Sequence, residues 1–527
     1  MQATRTRRGG SLFVPTNFSH LNAGQKTRAR NNLAAIALVK KLQNKSKKPT
    51  AEEKEVLAKF TGWGALKPVF DDAENWAEIQ QELKELLTEE EYSNARASIL
   101  NSHYTSAEVI EAILLGLKHL GYDGKGRLLE PSTGIGNFIG HLPLDWRKDA
   151  DIYGVEIDPT AAAIAGYLYP EIQLYNKGFQ EADFPDAGFS LCLSNFPFGT
   201  YQVADPRYDR LKLPIHNYFW AKTANLTRPG GLVVAITGTG TLSNERLLRE
   251  LNKTVQFVGA IRLPSDAFKK NAGTEVTTDI IILKRLDEGE GPFKNDWMDI
   301  VPSGMTSQVY PGRELLINRY FLDNPHMMLG VPAEDKLQPG RLAVHPDGRD
   351  LRSAIVAAFE TLSADIYEVG LEKDFKLVPP EHKDLLPYNY IELDGQLYQR
   401  QKHTLVAVTR NVRRLRGLML VAQAVRKLRN EELRTQEDYH ADLYRSWLNT
   451  VYNDFVNEFG RLNNTMNKRV FKDAPDSYLL QAIEVLDENK DWVKGNIFHW
   501  VLVLQQKLLN DLPAIVFSHL FKSSCTK

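Results

Sequence analysis

The chain has 527 residues, of which 43% are hydrophobic and 25% charged, and its formal net charge is −1. This length is enough for about two to four domains with sizeable cores. The two cysteines, Cys192 and Cys525, exclude a disulfide framework and a zinc cluster. No segment has the pattern of a signal peptide, and no apolar run is long enough to span a bilayer. We therefore expect a cytoplasmic protein that needs neither a membrane nor a metal.

Composition and hydrophobic spacing divide the chain into regions of different character. In chain order they are a flexible basic arm at 1–18, a helical region at 19–100, alternating strands and helices at 101–287, loops and short strands at 288–350, a mainly helical accessory region at 351–490 and a tail at 491–527. The alternation in the third region predicts an α/β fold with a mostly parallel sheet. In the fifth region a hairpin is predicted at 386–409, because Asp394-Gly395 separates two alternating segments.

The near-neutral total charge hides two basic blocks. Residues 1–50 hold 11 Lys or Arg and no Asp or Glu, and residues 401–434 hold 9 basic residues against 2 acidic ones. Such blocks are typical of an enzyme that meets a polyanion on one face. The alternative is that they are solvated helix faces beside acidic neighbours. We favour nucleic-acid contact and expect double-stranded DNA to be the partner, with Arg413, Arg414 and Arg416 on phosphates.

A glycine-containing turn follows a short apolar strand in the third region. The strand Leu128-Leu129-Glu130 runs into a turn with Gly134 and Gly136, and an acid, Glu156, ends the next strand 20 residues after Gly136. Glycines at such a turn let the backbone approach a ligand, and an acid at this distance is placed to bind a ribose diol. The third glycine of a dinucleotide fingerprint is missing from its expected place. The pattern therefore indicates a nucleotide-type cofactor other than a dinucleotide.

The most informative motif follows a later strand. The apolar segment Phe189 to Leu193 is followed by Ser194-Asn195-Phe196-Pro197-Phe198. An Asn side-chain oxygen and the next backbone carbonyl can both accept from one NH₂ group, while an aromatic ring stacks on a planar base. This arrangement suits methylation of an exocyclic amine. The order of glycine turn, ribose acid and Asn-x-Pro-Phe predicts a Rossmann-like methyltransferase core.

These motifs resemble those of S-adenosylmethionine-dependent DNA adenine-N6 methyltransferases of the gamma order, in which the cofactor motif precedes the catalytic one. More specifically, residues 20–490 resemble the methyltransferase half of large phage and plasmid methyltransferase–helicase proteins linked to antirestriction. The stretches that carry this resemblance are Phe60 to Gly64, His103 to Ser106, Asn195 to Tyr201, Ile215 to Phe219, Arg228 to Gly231, Gly259 to Pro264 and Asn271 to Asp279. The last two are the most specific.

The resemblance implies a role for each matching residue. Those expected at the cofactor are Tyr104 and Thr105 at its methionine end, Glu130, Ser132, Gly134 and Gly136 beneath it, Glu156 at its ribose, and Ile157 and Phe179 at its adenine. At the target base, Asn195 and the Phe196 carbonyl are expected to hold the amine, Pro197 follows them, and the aromatic Phe198 is expected to stack on the base. Lys270 and Thr274 are expected in a second wall. The implied reaction transfers a methyl group from S-adenosylmethionine to a flipped adenine.

Three features depart from the family pattern. The gamma enzymes usually have Pro where Phe196 stands, and many relatives have Asp where Gly178 stands, so Asp183 is a candidate substitute. Relatives continue into helicase motifs, whereas no glycine-rich Walker loop occurs in this sequence. We accordingly expect a methyltransferase module with a separate helicase or restriction or antirestriction partner.

The sequence is also compatible with three other functions. A protein-glutamine methyltransferase uses a similar Asn-Pro-Pro-Tyr device on an amide. An RNA adenine methyltransferase is another alternative, because the motif does not reveal the sugar of the target. The third is a non-catalytic DNA-binding or antirestriction protein that keeps the fold as a scaffold.

Overall fold

The computed structural model describes residues 12–15, 23–64, 66–71, 74–100, 105–268, 275–287, 289–290, 296–372, 375–378, 382, 384–401, 404–432, 439–487, 489 and 491–495. The chain forms two compact units, residues 2–373 and residues 374–527. Among the described residues, no helix is long and apolar enough to cross a membrane.

The first unit begins with helices whose starts are encoded locally. They are α1 (Gln25–Lys45), α2 (Ala51–Leu57), α3 (Ala77–Leu86) and α4 (Glu89–Ala97). A reciprocal capping box starts α2, with Thr50 accepting from the Glu53 N–H and Glu53 accepting from the Thr50 N–H. A second one starts α4, between Thr88 and Glu91. Each box satisfies backbone donors that have no partner within the helix.

A sheet forms the core of this unit and, within the described residues, has seven strands. They are β1 (Arg127–Glu130), β2 (Asp151–Glu156), β3 (Gln173–Asn176), β4 (Phe189–Asn195), β5 (Thr227–Gly238), β6 (Val255–Leu263) and β7 (Thr278–Arg285). Their order in the sheet is β3-β2-β1-β4-β5-β7-β6, and β7 is antiparallel to both neighbours. The fold is α/β with a mostly parallel, Rossmann-like sheet, as the sequence predicts.

Helices cover the sheet on both sides, which is why its central strands read as continuous apolar runs. They are α5 (Ala107–His119), α6 (Asn137–His141), α7 (Leu144–Asp149), α8 (Pro159–Leu168), α9 (Ile215–Leu226) and α10 (Glu245–Leu251). The strand order reverses at β1, which pairs with β2 on one side and β4 on the other. Ligands of such sheets bind beyond the carboxyl ends of the strands at this reversal.

Residues 296–360 add short elements to the sheet unit. The elements are β8 (Ile300–Thr306), β9 (Glu314–Asn318), α11 (Arg319–Asp323), β10 (Val331–Glu334), β11 (Leu342–His345) and α12 (Leu351–Glu360). Packing places α12 on α5, where a side chain at Gly116 would overlap the Phe359 ring. Because the apolar face of α12 is buried on α5, α12 belongs to the first unit.

The second unit combines a small sheet with helices. Its elements are β12 (Phe375–Leu377), β13 (Tyr390–Leu393), β14 (Gln396–Gln401), β15 (Thr404–Ala407), α13 (Val412–Glu432), α14 (Tyr439–Phe459), α15 (Thr465–Phe471), α16 (Ser477–Ala482), β16 (Glu484–Leu486) and β17 (Trp492–Lys494). The predicted turn is confirmed: β13 pairs with β14, and Asp394 and Gly395 both have positive φ, as a type I′ turn requires. Leu415, Leu418, Tyr452 and Phe455 lie in its apolar core between α13 and α14.

Candidate active site

A cavity of about 420 Å³ lies at the carboxyl ends of β1, β2 and β4, where the strand order reverses. This size is typical of a small-molecule site. Many of the residues predicted at the cofactor or the target amine lie together around it: Thr105, Glu130, Ser132, Gly134, Glu156, Ile157, Phe179, Asn195 and Pro197. Gly136, Phe196 and Phe198 are not among its lining residues. Tyr104, Lys270 and Thr274 lie outside the described residues.

The turn after β1 has the backbone shape that its glycines allow. Gly134 and Gly136 have φ values of 55° and 86°, and a Cβ at Gly136 would lie 2.6 Å from the ring of Tyr169. The Thr133 N–H donates to the Val155 carbonyl at 3.0 Å, which fixes the turn to β2. Since a non-glycine residue at Gly136 would meet both backbone strain and the Tyr169 ring, this glycine has a structural role beneath the cavity.

Glu156, at the end of β2, is held by the same turn. Its Oε2 accepts from the Gly134 N–H at 2.7 Å and its Oε1 from the Asp158 N–H at 2.8 Å. Burial raises the pKa of Glu156 to about 7, although these backbone donors favour the carboxylate. Asn176 supports the strand end by donating to the Glu156 carbonyl at 2.9 Å. The sequence motifs give no signal for Asn176, since it matches none of them.

Glu130, at the end of β1, provides a second carboxyl group to the cavity. It is 2% exposed, and burial, followed by the proximity of Glu156, raises the pKa of Glu130 well above its ordinary value. Within the described part of the chain, no hydrogen-bond partner lies at Glu130 Oε2. A buried polar atom of this kind is normally satisfied. A ligand in the cavity that carries a hydrogen-bond donor or a cationic group would satisfy it.

The motif after β4 meets the cofactor turn directly. Ser132 Oγ donates to the Asn195 carbonyl at 2.8 Å and also lies 2.8 Å from Ser194 Oγ. Asn195 pairs with Ile236 of β5, and its Nδ2 donates to Thr105 Oγ1 at 3.2 Å. The two motifs are therefore joined by hydrogen bonds although they are far apart in sequence.

Phe196, which departs from the family pattern, is part of the core. Its side chain is 1% exposed, with ring centroids 4.9 Å from Trp220 and 5.4 Å from Phe219. The Phe196 N–H donates to the Ile236 carbonyl at 3.0 Å. Proline has no N–H and could not make this bond. Here packing and a backbone hydrogen bond hold the segment in place of a proline ring.

Two aromatic residues follow, and they face different surroundings. The Phe198 ring lies beside Gly238, where a Cβ would be 3.7 Å from Phe198 Cδ1. Tyr201 lines the cavity and is 44% exposed, and its carbonyl accepts from the Ile215 N–H at 2.8 Å. The sequence motifs assign no role to Tyr201. The signal that could have identified it is a second aromatic residue three positions after Phe198.

Phe179, predicted to lie against the cofactor adenine, packs on Phe219. Phe179 is 3% exposed, and its ring centroid lies 4.7 Å from that of Phe219. Its neighbour Gln180 lines the cavity. Asp183, proposed as a substitute for the missing acid at 178, is not among the lining residues.

The N-terminal helical region also contributes to the cavity wall. Phe60, Gly62 and Trp63 line it, together with Asn94 and Ser98. The buried side chain of Asn32 fixes the turn, because its Nδ2 donates to the Gly62 carbonyl at 2.6 Å and its Oδ1 accepts from the Thr61 N–H at 2.8 Å. Trp63 is 2% exposed, so it is both a core residue and part of the cavity wall.

The arginines of the predicted DNA surface lie in the second unit and have intramolecular partners. Arg413 pairs with Glu458 at 2.8 Å and its side chain is 83% exposed. Arg416 donates to Glu392 at 2.9 Å and to the Gly395 carbonyl at 2.8 Å. Arg414 donates to Asn467 at 2.5 Å and lies over the Phe459 ring, 4.8 Å from its centroid. These contacts give Arg414 a structural role at the end of α14.

No family model matches the chain. It is 27% identical over 195 residues to the defense against restriction protein B of Escherichia phage P1; the match covers 35% of this chain and 8% of the phage protein. The chain thus spans only a small part of that relative's length.

Among solved structures, a putative class I S-adenosylmethionine-dependent methyltransferase from Listeria monocytogenes is 17% identical, with a TM-score of 0.33, and the match covers 51% of this chain and 91% of that one. The methyltransferase subunit of a type I restriction-modification system from Streptococcus thermophilus is 15% identical, with a TM-score of 0.32 and coverage of 63% and 74%.

Proposed function

We propose that this chain is an S-adenosylmethionine-dependent methyltransferase that methylates adenine N6 in DNA, in a restriction-modification or antirestriction setting. The observation that carries the proposal is the placement of Asn195 at the carboxyl end of β4, hydrogen-bonded through its carbonyl to Ser132 of the glycine turn. The name of the phage relative, a defense against restriction protein, supports the setting.

The cavity residues fit the proposed cofactor. The Glu156 carboxylate would accept from the two ribose hydroxyls, and exposed Ile157 would lie against the adenine, with Phe179 on the wall behind. The buried Glu130 carboxyl would face the cationic end of the ligand, where its unsatisfied Oε2 is available. When bound, S-adenosylmethionine supplies an electrophilic methyl group.

The chain's own contribution to the reaction is to hold and polarise the target amine. An aromatic exocyclic amine is a weak nucleophile because its lone pair is delocalised into the ring. Asn195 Nδ2 donates to Thr105 Oγ1, and we assign Asn195 Oδ1 as the acceptor for one amine hydrogen and the Phe196 carbonyl as the acceptor for the other. This placement directs the nitrogen lone pair by positioning and electrostatics, with no proton removed beforehand.

A base inside a duplex cannot reach this site, so the target must leave the stack. Tyr201 and Phe198 are the aromatic residues near the motif, and we assign Tyr201 to the cavity face of the flipped base because it lines the cavity. The exposed arginines Arg413 and Arg416 would contact phosphates, each by exchanging an internal carboxylate for a phosphate.

The decisive experiment compares wild-type protein with Asn195→Ala and with a matched control, Asn225→Ala, whose amide bonds to Tyr208 outside the cavity. Each is incubated with labelled cofactor and unmethylated duplex DNA, and nucleosides are analysed for N6-methyladenine. Asn195→Ala should lose on the order of 10²–10³-fold in rate while retaining the cofactor, as expected for loss of one preorganised polar group. Asn225→Ala should retain most of the rate.

Parallel incubations separate the remaining alternatives. Structured RNA as the preferred substrate would favour the RNA enzyme, and methylation of a glutamine-containing release-factor peptide would favour the protein enzyme. If the cofactor-saturated wild type methylates none of these substrates but still binds DNA, the scaffold function replaces the proposed one.

A further inference from the structure

A buried lysine on α9 connects the two walls of the cavity. Lys222 is 6% exposed, and its Nζ donates to the Phe179 carbonyl at 2.7 Å and lies 3.3 Å from Asp205 Oδ2. The same ammonium lies over the Phe179 ring, 4.8 Å from its centroid. Phe179 belongs to the predicted cofactor wall, whereas Asp205 belongs to the segment that follows the catalytic motif.

Asp205 anchors that segment, which we call the target loop, residues 199–214. Its Oδ2 also accepts from the Tyr218 hydroxyl at 2.8 Å, and its own N–H donates to Asp209 at 2.8 Å. The target loop carries Tyr201 and Val203, both of which line the cavity. A single buried carboxylate therefore ties the cavity-lining part of the loop to α9.

The energetics argue against a purely stabilising role for this ion pair. Burying a lysine and an aspartate requires both to lose their hydration, and well-packed apolar residues of similar volume often give equal or greater stability. What a charged, hydrogen-bonded group provides is a defined geometry. Here it fixes the target loop relative to the backbone of Phe179.

We propose that Lys222 is a positioning residue that sets the distance between the cofactor wall at Phe179 and the target loop at Tyr201. This assignment rests on the proposed methyl-transfer function, because it concerns how the two substrates of that reaction are held together. A displacement of about 1 Å between reacting groups costs on the order of 10²-fold in rate.

The test uses three variants of the full chain. Lys222→Met removes the ammonium. Tyr218→Phe removes one hydrogen bond to Asp205 but leaves the Lys222–Phe179 contact. The control Arg207→Gln lies in the target loop and breaks an exposed ion pair with Asp186, which is outside the loop. Lys222→Met should raise the Kd for S-adenosylhomocysteine about tenfold and lower kcat on the order of 10²-fold. Tyr218→Phe should leave that Kd within about twofold and lower kcat/KM for DNA about tenfold, and Arg207→Gln should change neither.

A double variant separates positioning from stability. Asp205→Asn with Lys222→Met removes both charges, so the unfolding midpoint should recover toward wild type whereas kcat should stay low. Recovery of kcat together with stability would overturn the proposal. An unchanged Kd and kcat in folded Lys222→Met would also overturn the proposal. If Lys222→Met does not fold, wild-type kinetics in both Tyr218→Phe and the double variant would overturn the proposal.

Amide hydrogen exchange gives a readout that does not depend on activity. Faster exchange in the target loop and at residues 178–182 is expected in Lys222→Met and not in Arg207→Gln. Should the wild type bind cofactor but methylate no substrate, the proposed function fails, while the exchange and Kd measurements still decide whether Lys222 positions the loop.

Discussion

Ser132 and Asn195 are joined by a hydrogen bond of 2.8 Å across 63 residues of sequence, from the serine hydroxyl to the asparagine carbonyl. Ser132→Ala should remove this link while leaving the glycine turn intact. We expect a loss of about 0.5–1.5 kcal/mol in the free energy of unfolding, the usual net value of one hydrogen bond. We also expect kcat to fall more than the cofactor affinity, because the misplaced group is Asn195. Urea unfolding, calorimetric titration and steady-state kinetics measure the three quantities, and an affinity loss with normal kcat would contradict the assignment.

Glu156 should make cofactor binding depend on pH. Its pKa is raised by burial to about 7, so it is largely neutral below that pH and a poorer acceptor for a ribose diol. Affinity for S-adenosylhomocysteine should therefore fall as pH is lowered through 7, by at most about tenfold per pH unit for one proton. Titrations between pH 6 and 8.5 test this. Glu156→Gln should bind weakly at every pH, and an equally steep profile in that variant would assign the titration to another group.

The same shift has the opposite effect on the stability of the ligand-free protein. Between the ordinary pKa of 4.5 and about 7, the folded state binds the Glu156 proton more tightly than the unfolded state. The contribution of Glu156 to the free energy of unfolding should thus grow as pH falls through 7 and be lost as pH rises through it. The difference in unfolding midpoint between wild type and Glu156→Gln, followed from pH 5 to 8, measures this contribution. A difference that is constant with pH would contradict it.

Replacing Phe196 by the proline typical of the gamma enzymes should destabilise this protein. The change removes a buried ring from beside Trp220 and the hydrogen bond to the Ile236 carbonyl. We expect a loss of roughly 3–5 kcal/mol, as for other large-to-small changes in a core. Phe196→Leu, which keeps the N–H, should cost less. Comparable denaturant midpoints for wild type and Phe196→Pro would show that the proline geometry compensates for the lost packing.

Tyr201 should contribute more than Phe198 to DNA binding, by stacking on the flipped base. Loss of base stacking costs about 1–3 kcal/mol, so Tyr201→Ala should weaken DNA binding by roughly 10–100-fold and Tyr201→Phe should not. A duplex with 2-aminopurine at the target position reports extrusion of the base by its fluorescence. A larger effect of Phe198→Ala in the same assay would assign the role to Phe198 instead.

The three arginines of α13 should separate into two groups. Arg413→Gln with Arg416→Gln should reduce the dependence of DNA affinity on salt by about 0.9 per lost phosphate contact, at similar cost for all sequences. Arg414→Gln should lower stability, because it removes the hydrogen bond to Asn467 Oδ1 and the contact with the Phe459 ring. Arg445→Gln, in the same unit but outside the basic block, controls for loss of charge. If the DNA affinity of the double variant depends on salt as that of the wild type does, DNA contacts a surface other than Arg413 and Arg416.

Patterns that depend on spacing along one strand or turn could be predicted from sequence. Glu130, Glu156 and Asn195 each come at the end of an apolar strand. Because parallel strands end on the same side of a sheet, their side chains are predicted at one edge of the sheet. The Asp394-Gly395 turn was predictable for the same local reason. Contacts between distant segments were not. Nothing local assigns α12 to α5, Arg414 to Asn467 or Lys222 to Asp205, since each depends on packing formed only by the folded chain.

The wall that Asn32 fixes at Gly62 has a kinetic consequence. If the cavity holds S-adenosylmethionine as proposed, the product is covered by this turn and by the strand ends and leaves past wall residues such as Trp63. Exit by such a route is commonly slower than chemistry in enzymes with enclosed sites. The first turnover would then be faster than the following ones and would appear as a burst of methylated product. Loosening the turn with Asn32→Ala should shrink that burst by speeding release.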